Sequence, residues 1–176
     1  MKLFAALLGA FLIAAPAAAQ DIPDLTIQPG ESITFHFDDG GRVGQPERGS
    51  ATWSRFDLVA ARQLAGMTPP ENPVHDAVPI QSSDENRPEP IPAGLIRLKA
   101  LSIAGQHTML VVENGQPGAL AYRARMTVRG RTSSTDVCVV LPHMPSYEHW
   151  AFPIERLELS NLRFIPWPPG RMPTCE

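Results

Sequence analysis

The stretch "LAYRARMTVRG" (residues 120–130) alternates without a break. Leu120, Tyr122, Ala124, Met126 and Val128 fall on one side of an extended chain, and Ala121, Arg123, Arg125, Thr127 and Arg129 on the other, because successive strand side chains point to opposite faces. One apolar face and one arginine-rich face describe a strand packed on a core from one side only. Antiparallel sheets allow this, whereas parallel sheets are covered on both faces. The neighbouring segments should then be strands of the same kind.

Working outward, they read that way. "GLIRLKALSI" (94–103), "HTMLVVEN" (107–114), "TDVCVV" (135–140) and "IERLELSNLRF" (154–164) are β-rich runs separated by turn signals such as "ENGQPGA" (113–119), at the spacing of a sandwich. The apolar parity changes between Leu159 and Leu162, which predicts a bulge near Ser160 and Asn161. Towards the N-terminus, "ESITFHF" (31–37) places Ile33, Phe35 and Phe37 on one face and stops at "DDGG" (38–41). Ser54 stands three residues before Asp57, and "SRFDLVAARQLAG" (54–66) ends on Gly66 with Pro69 beyond, which predicts one short helix. Residues 67–94 hold seven prolines; each lacks a backbone donor and fixes φ, so the segment reads as a long Pro-rich loop. The expected fold is mainly β, an antiparallel immunoglobulin-like β-sandwich with one short helix and that loop. "Immunoglobulin-like" describes the layers, since the Cys…Trp…Cys spacing of antibody domains is absent.

The compartment is read from the first residues. Met1 and Lys2 precede an apolar run from Leu3 to Ala15, and Pro16 is followed by Ala17, Ala18 and Ala19, a small-residue cleavage site. The run is shorter than the about 20 residues that span a bilayer. Residues 1–19 are therefore expected to be a signal peptide, and residues 20–176 a single β-sandwich domain, periplasmic or secreted, with no transmembrane segment. The formal charge of -3 becomes more negative by one once Lys2 is removed, and this mild acidity argues against nucleic acid as a partner. The segments "MLVVENGQPGALAYRARM" (109–126), "TDVCVVLP" (135–142) and "YEHWAFPIERLELSNLRF" (147–164) resemble small exported proteins of Gram-negative bacteria, particularly alphaproteobacteria, that have no assigned function. The resemblance covers the C-terminal half, implies a periplasmic setting and carries over no catalytic residue.

Chemistry-bearing residues crowd into "CVVLPHMPSYEHW" (138–150). His143 and His149 are interrupted by Pro145, and Glu148 adjoins His149, so the one-helix zinc geometry fails; a loop-built site of Cys138, His143 and His149 is the zinc alternative. Cys138 followed by His143 resembles the spacing of azurin-like cupredoxins, which gives the alternative reading of a copper-binding protein using Cys138 and His143. Met144, directly after His143, departs from that pattern. In an oxidising compartment two cysteines most simply pair, and a Cys138–Cys175 disulfide is the expectation. Tyr147, His149 and Trp150 are the candidate ligand or partner contacts, placed in a long loop, with Arg123 and Arg125 as a secondary surface whose competing reading is cross-strand pairing with Glu155 and Glu158. No nucleophile, phosphate or calcium motif is present. The sequence is therefore read as a non-enzymatic exported protein that binds an envelope protein or glycan, or supports the envelope, with no catalytic residues, cofactor or metal.

Overall fold

A computed structural model describes residues 22–38, 41–66 and 88–175. The predicted signal peptide and residues 67–87 of the Pro-rich loop lie outside the described residues. The described strands are β1 (Leu25–Ile27), β2 (Glu31–His36), β3 (Glu47–Ser50), β4 (Leu95–Ile103), β5 (His107–Asn114), β6 (Ala119–Val128), β7 (Arg131–Thr135), β8 (Met144–Trp150) and β9 (Arg156–Ile165), with one helix, α1 (Arg55–Ala65). They form a four-stranded sheet in the order β1-β9-β6-β7 and a five-stranded sheet in the order β3-β2-β4-β5-β8, with antiparallel pairing between neighbours.

The alternation in β6 sorts its side chains as expected. Leu120, Tyr122 and Ala124 are buried in a core cluster with Leu25, Ile27, Leu157 and Leu159 from the same sheet and Ile33, Phe35, Ile96, Leu98, Leu110 and Val112 from the other. Each such aliphatic side chain contributes about 1.5–3 kcal/mol on burial, so this shared interior is what holds the two sheets face to face. Arg123 and Arg125 stay exposed on the outside of the four-stranded sheet.

The five-stranded sheet is covered on its outer face as well. Leu101, Ile103, Met109 and Val111 point away from the shared core and form a second cluster with Ala60 and Ala61 of α1. This explains why "LIRLKALSI" reads as nearly continuously apolar: a strand covered on both sides has no reason to alternate. The helix begins at Ser54, whose hydroxyl accepts from the Asp57 N–H while the Asp57 carboxylate accepts from the Ser54 N–H, and it stops at Gly66, in the left-handed region at φ 66°.

Three local readings are corrected or refined. The segment "TDVCVV" is not a strand: it makes isolated bridges, Val140 to Leu120 and Cys138 to Cys175, and the strand beside β6 is instead "RTSST", joined through Arg129 and Gly130 at φ 50° and 71°. β7 is an edge strand with exposed side chains, so it carries no apolar signature. Residues 144–150 are not a loop but strand β8; Pro145 is tolerated because an edge strand can leave an N–H position unpaired. The expected bulge is present, with two residues of β9, Asn161 and Leu162, facing Tyr122 alone between the pairs Ala121–Arg163 and Arg123–Ser160. The β5–β6 turn is held by Asn114, fully buried, whose amide donates to the carbonyls of Gly118 at 2.9 Å and Leu141 at 3.1 Å.

Candidate functional site

Above the five-stranded sheet, between the start of α1 and the described end of the Pro-rich loop, charged side chains run in a line. Arg97 and Lys99 are two apart on β4 and share its outer face; Glu113 is the register partner of Arg97 on β5. Glu113 therefore meets Arg97 directly, at 3.1 Å, and Lys99 diagonally, at 3.0 Å. Lys99 Nζ also reaches the Asp57 carboxylate at 2.5 Å, and the Tyr147 hydroxyl donates to the other Asp57 oxygen at 3.4 Å. The line reads Tyr147, Asp57, Lys99, Glu113, Arg97, with opposite charges alternating through its four ionic members.

Burial decides what these contacts are worth. The Lys99 and Asp57 side chains are 5% and 1% exposed, so neither ion is held by water. Removing one partner of such a pair costs about 3–5 kcal/mol, because the other is left buried and alone. Asp57 is thus committed three ways: it caps α1, pairs with Lys99 and receives Tyr147. Burial pushes the Tyr147 phenol above its ordinary range, with the Asp57 and Glu113 carboxylates adding to the shift, so its hydroxyl keeps its proton and stays a donor. Its ring leans on Phe56, centroids 5.7 Å apart.

Two cavities open on this line. One, about 170 Å³, lies among Phe56, Pro88, Pro90, Pro92, Pro145 and Tyr147; the other, about 330 Å³, lies among Ser32, Ser50, Thr52, Trp53 and Lys99. Ser54, Glu89, Arg97 and Glu113 line both, so the two are halves of one groove with Arg97 and Glu113 at its floor. The Asp57 and Glu113 carboxylates are already engaged, and the Lys99 amine is held between them. The arrangement presents fixed hydrogen-bonding groups and aromatic surface.

The sequence-predicted residues fall in different places. Tyr147 belongs to the groove. His149 shares its face but is turned to His107, with His107 Nδ1 and His149 Nε2 at 2.9 Å. Trp150 is on the opposite face, 8% exposed in the shared core, its indole N–H donating to Thr135 Oγ1 at 2.9 Å; it links β8 to β7 and cannot share a contact surface with Tyr147, because adjacent strand residues point apart. Arg123 and Arg125 lie on the far sheet, where Arg125 pairs with Glu158 at 3.4 Å; Glu155 instead accepts from the Gly130 N–H.

Cys138 and Cys175 are at disulfide distance, S–S 1.91 Å. With the sulfur so committed, the thiolate required by the copper reading through Cys138 and His143, and by the loop-built zinc alternative, is lost; His143 itself sits exposed in a turn at φ 55°. No three His, Cys, Asp or Glu side chains among the described residues are grouped to hold a metal ion. Glu148 faces inward and accepts the Cys138 N–H at 2.7 Å; burial pushes its carboxyl above the ordinary range, the backbone bond opposing.

The sequence presents Asp57 only as a helix cap and gives no local pattern that joins it to Lys99, Glu113 and Arg97 as a site. A non-local signal is present: Lys99 is the only lysine besides Lys2, set in an apolar run, and pairing "GLIRLKALSI" with "HTMLVVEN" as a hairpin puts Glu113 opposite Arg97. The chain matches no family model, no curated protein and no solved structure.

Proposed function

We propose that this chain is a non-enzymatic exported domain that binds a neutral, hydroxyl-rich ligand, a glycan segment, in the groove beneath α1. The carrying observation is the ion-paired floor: Arg97 and Glu113 face both halves of the groove, and Lys99, itself paired with buried Asp57, holds Glu113. A floor with both charge signs compensated, beside the Glu89 carboxylate that also lines both halves, has no attraction for an anion. It offers donors and acceptors side by side, which suits hydroxyl groups that both give and accept hydrogen bonds. Trp53 and Tyr147 supply rings with an apolar face and a polar tip, and four hydroxyl side chains line the walls.

Export rests on the N-terminal sequence and on the cysteine pair, which suits an oxidising compartment. The immunoglobulin-like reading of the layers rests on two antiparallel sheets around one core; α1, on the outer face of one sheet, is the departure. The resemblance to exported proteins of Gram-negative bacteria agrees with this setting. Intact mass before and after alkylation checks export and pairing together: the mature chain should begin near Gln20 with both thiols protected, and two free thiols would remove the compartment argument.

The binding reading is tested by titrating envelope oligosaccharides into the protein while following the Trp53 indole and backbone resonances. Saturable shifts should map to Trp53, Ser54, Arg97 and Tyr147, and Arg97→Ala should weaken binding by about tenfold, or 1.4 kcal/mol. Shifts confined to the Arg123 and Arg125 face, or turnover of the sugar, would overturn it.

A further inference from the structure

Away from the groove floor, the edge of the five-stranded sheet carries a second polar feature. His107 opens β5 and His149 is the penultimate residue of β8. Their ring planes are 18° apart and their centroids 5.1 Å apart, while His107 Nδ1 and His149 Nε2 approach to 2.9 Å. A face-to-face stack at that centroid separation cannot bring nitrogens so close. The rings lie nearly in one plane, nitrogen facing nitrogen, and one donates its N–H to the lone pair of the other.

Among the described residues, no carboxylate joins the pair to form a group of three metal-ligating side chains. The register partners on this face are Ile103 for His107 and Met109 for His149, and the next residue along β8 on the same face is Tyr147. Glu148 points to the other side, towards the Cys138 N–H. A hard divalent ion would find no carboxylate here to complete its shell. Two neutral imidazoles meeting head on are the donor set of a soft ion with linear, two-coordinate preference.

We infer that His107 and His149 form a binding site for a soft monovalent metal ion, Cu(I) or Ag(I), held between the two facing nitrogens. The proton balance closes without loss: the N–H proton of the donating ring moves through solvent to the other nitrogen of the same ring, leaving two lone pairs and two neutral imidazoles. The nitrogens must part by roughly 1 Å to accept metal–imidazole bonds of about 2 Å, and β8 is an edge strand, bonded on one side only. Burial, with the His107 ring adding to it, holds His149 below the ordinary imidazole range, which favours the ligating form. Both rings are half-buried and reachable, and the paired cysteines offer no competing thiolate.

Silver is the probe of choice because it needs no reductant and leaves the disulfide intact. Titration of the oxidised mature protein with silver nitrate in chloride-free buffer should show one equivalent bound, with nitrogen-15 shifts at His107 Nδ1 and His149 Nε2. His107→Asn and His149→Gln should each lower affinity by more than about 100-fold, since losing a ligand exceeds the effect of losing a supporting partner. His143→Ala and Met144→Leu should not change it. Near-ultraviolet circular dichroism of each variant establishes that it is folded; should either histidine variant unfold, the nitrogen shifts in the wild type decide. Absence of uptake, uptake retained in the folded double variant, or shifts at His143 in place of the pair would overturn the site. The groove reading stands or falls separately.

Discussion

On the five-stranded sheet, Arg97, Lys99 and Glu113 make cross-strand ion pairs under a helix; on the four-stranded sheet, Arg125, Arg156 and Glu158 make pairs of the same chemistry in the open. Glu158 is shared by two arginines, as Glu113 is shared by an arginine and a lysine. What differs is the covering. The Lys99 side chain is 5% exposed and that of Arg125 is 56% exposed. Lys99 and Asp57 therefore depend on each other, whereas at Arg125, and at Arg97 on the open end of the covered line, water and salt can substitute for the partner. The arginines that stand out in the alternation of β6 are therefore charges that matter less to the fold than the single lysine of β4.

The largest effect should come from breaking the covered line at its centre. Lys99→Met leaves Asp57 buried without its cation and should lower stability by about 3–5 kcal/mol, read as a shift in the urea midpoint at unchanged slope. Adding Asp57→Asn to that variant should restore part of the loss, because the amide can still accept at the cap without carrying a charge. If Lys99→Met alone cost no more than a surface change, the line would be an ornament of the sheet and not part of its frame.

Next comes the cap. Ser54→Ala removes the acceptor for the Asp57 N–H and should cost about 1 kcal/mol, measured in the same melts. The same substitution should also perturb Lys99 and Tyr147 resonances, since Asp57 connects the cap to the line.

A smaller effect is a pH dependence carried by β8, whose neighbouring residues His149 and Glu148 face opposite ways. His149 titrates lower in the folded chain than its ordinary 6.5, so its stabilisation is present above 6.5 and is lost as pH falls through the depressed value. Glu148 titrates above its ordinary 4.5, so its contribution is present below 4.5 and is lost as pH rises through the raised value. The two contributions have opposite signs, Glu148 acting from 4.5 upward and His149 from 6.5 downward, so the window to examine is pH 4.5 to 6.5. Thermal melts across that window should gain a downward slope with rising pH in His149→Gln and lose one in Glu148→Gln, which keeps an oxygen for the Cys138 N–H.

The smallest effect is expected on the bare face. Arg125→Ala should change stability by less than about 1 kcal/mol and become silent at high salt. A larger loss would mean that this sheet, too, depends on its ion pairs.

Much of this fold could be read directly because water leaves a period in sequence. β6 alternates and is found as expected; Ser54, Asp57 and Gly66 bound α1 by local backbone chemistry alone. The misreadings have physical causes. β7 has no apolar face to announce it, since both its faces meet water. Pro145 and the crowd of functional groups around it suggested a loop, but an edge strand admits proline. The groove was hidden because its members come from α1, β4, β5 and β8, and no local spacing records a contact such as that between Asp57 and Lys99. Tyr147 and Trp150 offer the same signal in sequence, a large ring, yet the one falls in the groove and the other in the core, because adjacent residues of β8 face opposite ways.

The bulge in β9 has a consequence in terms of the gene. Asn161, in the left-handed region at φ 54°, is the extra residue facing Tyr122, and its N–H donates to Asp24 at 3.3 Å. Deleting its codon would let Leu162 take the place opposite Tyr122, still on the core side, with Arg163 still outside and Ala121 still its partner. A strand interior normally punishes the loss of one codon by turning every later side chain over. Here the reading frame of the two faces survives, so a chain lacking Asn161 should keep the amide exchange protection of Leu162 and Phe164, and a loss of that protection would show the bend itself to be required.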